Sequence, residues 1–195
     1  PAAWTTLAGQ IGAPALVVPE EFGGAGFGFG ELAIVLEESG RALLAAPLLS
    51  SSVLATYALL LSGDDKTCKE MLPEMAEGTR LGTLAASDTD LRVAPAGTTS
   101  AAASADGDGW MVTGTKAYVL DGASADFVVV AATTDLGPSL FVVDLPGPGV
   151  EITALTTMDR TRHFARVTFD NTPARLVGDA GGAETVLSRV SDIAA

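Results

Sequence analysis

The chain has 195 residues, 48% of them hydrophobic and 18% charged, which is enough apolar material for one large domain or two small ones with a packed core. Eleven Lys and Arg against 24 Asp and Glu leave a net charge of −13, a field that repels phosphate backbones and anionic lipid headgroups and argues against nucleic acid and membrane as partners. No run reaches the roughly 18 apolar residues of a spanning helix, no basic-then-apolar leader opens the sequence, and Cys68, without a Cys/His cluster, offers neither an internal disulfide nor a metal site, so the expected location is cytoplasmic.

Residues 1–78 read as an all-α N-terminal domain. Leu32, Val35, Leu36 and Leu43 recur at helical spacing, offset from Glu31, Glu37, Glu38 and Arg41. Ser50, Ser51 and Ser52 are cap candidates for a second helix carrying Val53, Leu54, Tyr57, Ala58 and Leu61, with Gly63 as its stop. Asp64 and Asp65 open a third helix, which Pro73 is expected to kink or split. The glycine-rich stretch 23–30 has no βαβ unit around it, so neither a Rossmann nor a Walker reading applies, and Glu20 and Glu21 read as turn and helix-start residues.

Beyond Gly78 the pattern changes to short β-type runs at 81–86, 110–120, 126–132, 140–145 and 167–169, the spacing of an antiparallel barrel over residues 79–180. Asp106-Gly107-Asp108-Gly109 predicts a hairpin connection, and Gly147-Pro148-Gly149 a second break. The stretch 94–105, rich in Ala, Ser and Thr, fits either a small-residue strand or a mobile loop. Residues 181–195 begin a new helical domain, with Val186, Leu187, Val190, Ile193 and Ala194 on one face. That stripe meets no glycine or proline stop, and the sequence starts at Pro1 without methionine, so further helices are expected to follow. Helices, then strands, then a new helix is an α+β order rather than alternating βα units.

Taken singly, the conspicuous residues have ordinary readings. Tyr118 on a strand is a core or interface aromatic, Ser87 a polar strand end, Cys68 a half-buried helix residue, and His163, between Arg162 and Phe164, a surface or interface residue. Arg160, Arg162, Arg166 and Arg175 could neutralise phosphate, and equally could form a solvated or intersubunit face.

Four ordered segments add a resemblance that covers nearly the whole chain. They are Pro19-Glu20-Glu21-Phe22-Gly23-Gly24-Ala25-Gly26 with Glu37-Glu38-Ser39-Gly40-Arg41-Ala42-Leu43; Leu84-Ala85-Ala86-Ser87-Asp88; Lys116-Ala117-Tyr118-Val119-Leu120-Asp121-Gly122 with Ala125-Asp126; and Met158-Asp159-Arg160-Thr161 through Val167-Thr168-Phe169-Asp170-Asn171-Thr172-Pro173 to Leu176-Val177-Gly178. In this order they resemble the helical N-terminal and middle β-barrel domains of the acyl-CoA dehydrogenase family, including divergent actinobacterial members.

The resemblance implies an FAD-dependent α,β-dehydrogenation of an acyl-CoA thioester, in which a carboxylate takes the α-proton and the β-hydride passes to flavin N5, with a flavin-linked electron acceptor and a homo- or hetero-oligomer. It implies that Leu84, Ala85, Ala86 and Ser87 meet the pyrimidine end of the flavin, with Ser87 in place of the family's Thr. Tyr118 is then an aromatic wall against the ring, and Val119 and Leu120 bring backbone amides beside it. No catalytic residue is expected within the chain, since the base belongs to the C-terminal helices. Two positions depart from the family pattern: Leu120 stands where a Ser or Thr hydroxyl points at N5, and Thr89-Asp90-Leu91-Arg92-Val93 replaces a Gly-Ser-Asp run. The alternative these departures imply is a degenerate, non-catalytic structural subunit of a heteromeric acyl-CoA dehydrogenase.

Overall fold

The computed structural model describes residues 2–88, 99–107 and 109–195. The departure at Thr89-Asp90-Leu91-Arg92-Val93, the first part of the stretch 94–105, and Asp108 lie outside the described residues.

The N-terminal part is helical, with α1 (Ala2–Thr6), α2 (Phe29–Arg41), a π-helical segment (Leu48–Ala55) that runs directly into α3 (Thr56–Ser62), and α4 (Asp65–Ala76). In α2, Glu31 accepts the Gly28 N–H at 3.0 Å and Leu32 is fully buried. Leu43, expected on the apolar stripe, instead lies past the helix end at φ +50° and is 72% exposed, because α2 stops at Arg41 and the chain reverses there. Pro73 sits in the last turn of α4, where it removes one late hydrogen bond, and the helix continues through it unbroken. Asp64 caps α4 by accepting from Thr67 N at 3.0 Å and Thr67 Oγ1 at 2.7 Å; burial pushes its carboxyl up, and the bonds from Thr67 and Gly178 bring it below its ordinary value. The Gly63 stop is present, at φ +73°.

The serines expected as caps have another role. Ser50, Ser51 and Ser52 lie inside the π-helical segment and are buried. Ser51 accepts the Gly82 N–H of the barrel at 3.2 Å while Ser50 donates to Asp121 at 2.6 Å.

The strands are β1 (Gly82–Ala85), β2 (Ala102–Asp106), β3 (Gly109–Leu120), β4 (Phe127–Thr134), β5 (Gly137–Asp144), β6 (Val150–Ala154) and β7 (Phe164–Val177). Pairings β4–β2, β2–β3, β3–β7, β7–β5 and β5–β4 close a ring, with β1 added parallel to β4 and β6 antiparallel to β7. The barrel is therefore mainly antiparallel, and its parallel members are β1 and the single β2–β4 bridge at Ala102 and Thr133. The Asp-Gly connection closes on the Asp106–Gly109 pair, with Gly107 at φ +58°. Of the stretch left open between strand and loop, the part from Ala102 onward is strand.

β4 explains how the two halves join. Phe127, Val128, Val129, Val130, Ala131 and Ala132 are at most 1% exposed, so the strand is apolar on both faces. Val128, Val130 and Ala132 pack inside the barrel with Val112, Phe141, Val167 and Phe169. Phe127, Val129 and Ala131 face outward into a second core with Leu59, Met71 and Leu72 of the helices. Each fully buried Val or Phe contributes about 1.5–3 kcal/mol, which makes this shared wall the main cohesive surface between the two parts. Finally α5 (Ala183–Ala194) buries Ala183, Val186 and Val190 against the same outer core. No described helix is long and apolar enough to cross a membrane.

Candidate functional site

A cleft of about 500 Å³ opens between the barrel, the π-helical segment and α5. One wall is the end of β1 and the residues after it, Leu84, Ala85, Ala86 and Ser87; the next is the end of β3, with Ala117, Tyr118, Val119 and Leu120. All seven positions carried over from the resemblance thus line one cleft.

The local geometry of β3 follows from a register shift. Lys116 pairs with Val167 and Val119 with Ala165, so Ala117 and Tyr118 stand opposite a single residue of β7. This is a bulge, and Tyr118 occupies it at φ +57°, a left-handed conformation that costs a non-glycine residue about 1–3 kcal/mol. The extra residue puts Ala117 and Tyr118 both on the cleft, where Tyr118 meets Phe164 edge-on, with ring centroids 6.4 Å apart at 79°. Val119 is 1% exposed and packs into the barrel interior, so its contribution to the cleft wall is largely backbone. Leu120 carries no side-chain donor, and its carbonyl accepts from Thr83 Oγ1 at 2.6 Å.

A buried charged knot fixes these strand ends relative to each other. Lys116 is fully buried, and its Nζ donates to Asp88 Oδ1 and to Thr99 Oγ1, each at 2.5 Å. The Asp88 carboxylate also accepts the Ser100 N–H and the Thr99 hydroxyl, while its carbonyl takes the Ala117 N–H at 2.7 Å. Burial pushes the Asp88 carboxyl up, but hydrogen bonds from Lys116 and Ser100 outweigh it and hold the group below its ordinary value. Burial lowers Lys116, and Asp88 opposes that shift. One ion pair therefore ties the residues just after β1 to β3 and to the chain leading into β2.

The remaining wall is helical and was not read from the sequence. Leu49 and Leu54 line it from the π-helical segment, and Leu187, Ser188, Ser191 and Asp192 from α5. Asp192 is the one acidic residue among the described lining residues. Thr99 and Phe164 were also missed as lining residues; the only local signal for Phe164 was its place beside His163. A smaller cleft of about 300 Å³ adjoins the first at Leu49 and Ala194 and carries Arg162, which makes no ion pair with a described residue. Of the other arginines noted in the sequence, Arg175 pairs with Glu70 at 2.8 Å. His163 is exposed, with Nδ1 3.7 Å from Asp121 Oδ1, and Glu20 and Glu21 begin a short 3₁₀ turn away from the cleft lining.

Chemically the cleft suits a flat heteroaromatic group. Its walls are mostly apolar, an aromatic ring stands on one side, and the Ser87 hydroxyl makes no hydrogen bond to another described residue.

Comparison with known proteins accords with this arrangement. The acyl-CoA dehydrogenase N-terminal domain matches residues 1–79, and the acyl-CoA dehydrogenase middle domain matches residues 83–172. The chain is 35% identical over 182 residues to acyl-CoA dehydrogenase IpdE2 of Mycobacterium tuberculosis, covering 93% of this chain and 45% of that protein. It is 33% identical over 159 residues to the human mitochondrial short-chain specific acyl-CoA dehydrogenase, covering 78% and 38%. Among solved structures, the Tcur3481-Tcur3483 steroid ACAD G363A variant superposes with a TM-score of 0.86 at 33% identity, over 99% of this chain and 50% of that one. The ChsE4-ChsE5 complex from Mycobacterium tuberculosis gives 0.85 at 30% identity, over 98% and 50%. The chain spans about half the length of these relatives or less. With both domain matches in order and the barrel-to-helix cleft between them, the chain belongs to the acyl-CoA dehydrogenase family.

Proposed function

We propose that the protein takes part in FAD-dependent α,β-dehydrogenation of an acyl-CoA thioester, and that this chain supplies the barrel wall and the first helical wall of the flavin site. The observation that carries this reading is the convergence of Leu84, Ala85, Ala86, Ser87, Tyr118, Val119 and Leu120 on one cleft in a chain of this family. When bound there, FAD would supply the two-electron acceptor for the hydride that leaves the β-carbon.

The chain's own residues have separable tasks. Tyr118 gives the isoalloxazine a flat apolar contact with a polar tip. Ser87 offers a hydroxyl to its pyrimidine end, and the backbone at Val119 and Leu120 approaches its edge. Leu49, Leu54, Leu84 and Leu187 keep water from the reacting carbons, which strengthens any hydrogen bond to the thioester carbonyl. The carboxylate that takes the α-proton is assigned to the C-terminal helices, of which α5 already brings Asp192 to the cleft. Arg162, in the adjoining cleft of a strongly acidic protein, suits an anionic part of the substrate. The steroid acyl-CoA dehydrogenase and the two-protein ChsE4-ChsE5 complex among the structural neighbours support a bulky apolar acyl group and an oligomeric assembly. A flavin-linked protein as electron acceptor, and a cytoplasmic location, complete the proposal.

Flavin absorbance in the purified full-length protein, bleached by an acyl-CoA under anaerobic conditions, tests it. One observation favours a second reading: Leu120 lines the cleft without a hydroxyl, the change expected of a structural subunit that keeps the fold for a catalytic partner. Co-purification with a second, flavin-bearing chain, with no flavin in this one, would select that reading.

A further inference from the structure

Asp121 stands where three cleft-lining elements meet. It directly follows Leu120, at φ +54°. Its N–H donates to the His163 carbonyl at 2.6 Å, next to Phe164 at the start of β7. Its Oδ2 accepts from Ser50 Oγ at 2.6 Å, in the π-helical segment that carries Leu49 and Leu54. The carboxylate is 12% exposed and Ser50 is fully buried.

We infer that Asp121 is a positioning residue that sets the width of the flavin cleft by tying its helical wall to its barrel wall; the assignment rests on the flavin reading above. Among the described residues two hydrogen bonds join the π-helical segment to the barrel, and they have different strengths. At β1 the Ser51 hydroxyl accepts a backbone N–H at 3.2 Å, an ordinary neutral contact. Just past β3 the Ser50 hydroxyl donates to a carboxylate at 2.6 Å, the charge-assisted and stronger kind. Without the carboxylate, Ser50 retains only the Pro47 carbonyl of its own turn at 3.3 Å, and no other hydrogen bond between described residues ties that turn to the end of β3. Leu49 and Leu54 then move relative to Tyr118 and Leu120. The left-handed backbone at Asp121 serves the same end, since it lets one residue bond to β7 through its N–H and to the helices through its side chain.

The test uses the full-length protein, FAD titration followed by flavin fluorescence, and the visible spectrum of bound flavin, at a temperature where every variant is folded. Asp121→Ala and Ser50→Ala should each weaken FAD binding about tenfold, the equivalent of one lost charge-assisted hydrogen bond, and the double variant no further. Asp121→Asn, whose amide oxygen still accepts from Ser50 but without the charge, should fall between wild type and Asp121→Ala, about threefold weaker than wild type, and keep its spectrum. Affinity and spectrum unchanged in Asp121→Ala and Ser50→Ala, or losses that simply add in the double variant, would overturn the assignment while leaving the flavin site standing. A wild-type protein that takes up no FAD would overturn the proposed function and this assignment with it.

Discussion

The two walls of the cleft are held by different physics. On the barrel side a fully buried lysine, a carboxylate and two neighbouring hydrogen-bond donors hold the ends of β1 and β3 in one arrangement, and a bulge fixes Tyr118 at the edge. On the helical side the lining is mainly Leu49, Leu54, Leu187 and Val190, packed by burial, with the Ser50 hydroxyl-to-Asp121 carboxylate bond and the weaker Gly82 N–H to Ser51 contact tying the π-helical segment to the barrel. Hydrogen bonds and ion pairs fix angle as well as distance, whereas apolar burial is non-directional. Under the proposed function, the barrel wall would align the planar cofactor and the helical wall would shape the room left for the acyl group.

Breaking the barrel wall should have the largest effect. Asp88→Ala leaves Lys116 buried without a counter-charge and should cost about 3–5 kcal/mol in denaturant unfolding. Lys116→Met should cost clearly less, since the Asp88 side chain is 18% exposed and keeps its bonds from Thr99 and Ser100. Equal losses would show that the knot is not what anchors this wall. The same carboxylate gives the barrel an acid limit. Because Asp88 ionises more easily folded than unfolded, its contribution is complete above the ordinary carboxylate value near 3.8 and is lost as pH falls through the lowered folded value. Acid-unfolding curves should show this step in the wild type and lack it in Asp88→Ala.

The helical wall should yield more gently. Leu54 is half-buried, and Leu54→Ala should cost about 1–2 kcal/mol and raise KM for acyl-CoA more than it lowers kcat, as read from steady-state kinetics. Leu120→Thr restores a hydroxyl where the family pattern has one. It should cost about 1 kcal/mol of burial while shifting the absorption and potential of bound flavin, and an unshifted spectrum would place Leu120 away from the ring. The smallest effect concerns Cys68. Burial, with Asp64, Asp65 and Glu21 adding to it, pushes its thiol up to about 11, so a thiol reagent at mildly alkaline pH should leave the folded protein untouched and label it only after unfolding.

The same contrast explains what the sequence made legible. Leu84-Ala85-Ala86-Ser87 and Tyr118-Val119-Leu120 stood out only as parts of the ordered family resemblance; taken singly they read as strand residues, and the bulge that puts Tyr118 on the cleft left no signal of its own. Leu49, Leu54 and Leu187 resemble any other core leucine, because what brings them to the cleft is the packing of α5 and the π turn, not a local pattern. The three serines were misread as caps for the same reason: Ser/Thr clusters before an apolar run normally cap a helix, and a π turn that buries them has no simple signature. β6 was missed because its five residues alternate weakly and are mostly exposed, and β7 was shortened to its most apolar centre although it runs from Phe164 to Val177. Lys116 and Asp88 were visible only as members of motifs, since an ion pair across 28 positions follows from the barrel closing, not from spacing.

The most direct test of the central claim is an anaerobic titration of the purified full-length protein with FAD and then with an acyl-CoA. The account predicts one tightly held flavin per chain, weakened by Tyr118→Ala, with its visible absorbance bleached by the thioester. A well-folded protein that takes up no flavin from excess FAD, or whose flavin uptake is indifferent to Tyr118→Ala, would contradict it.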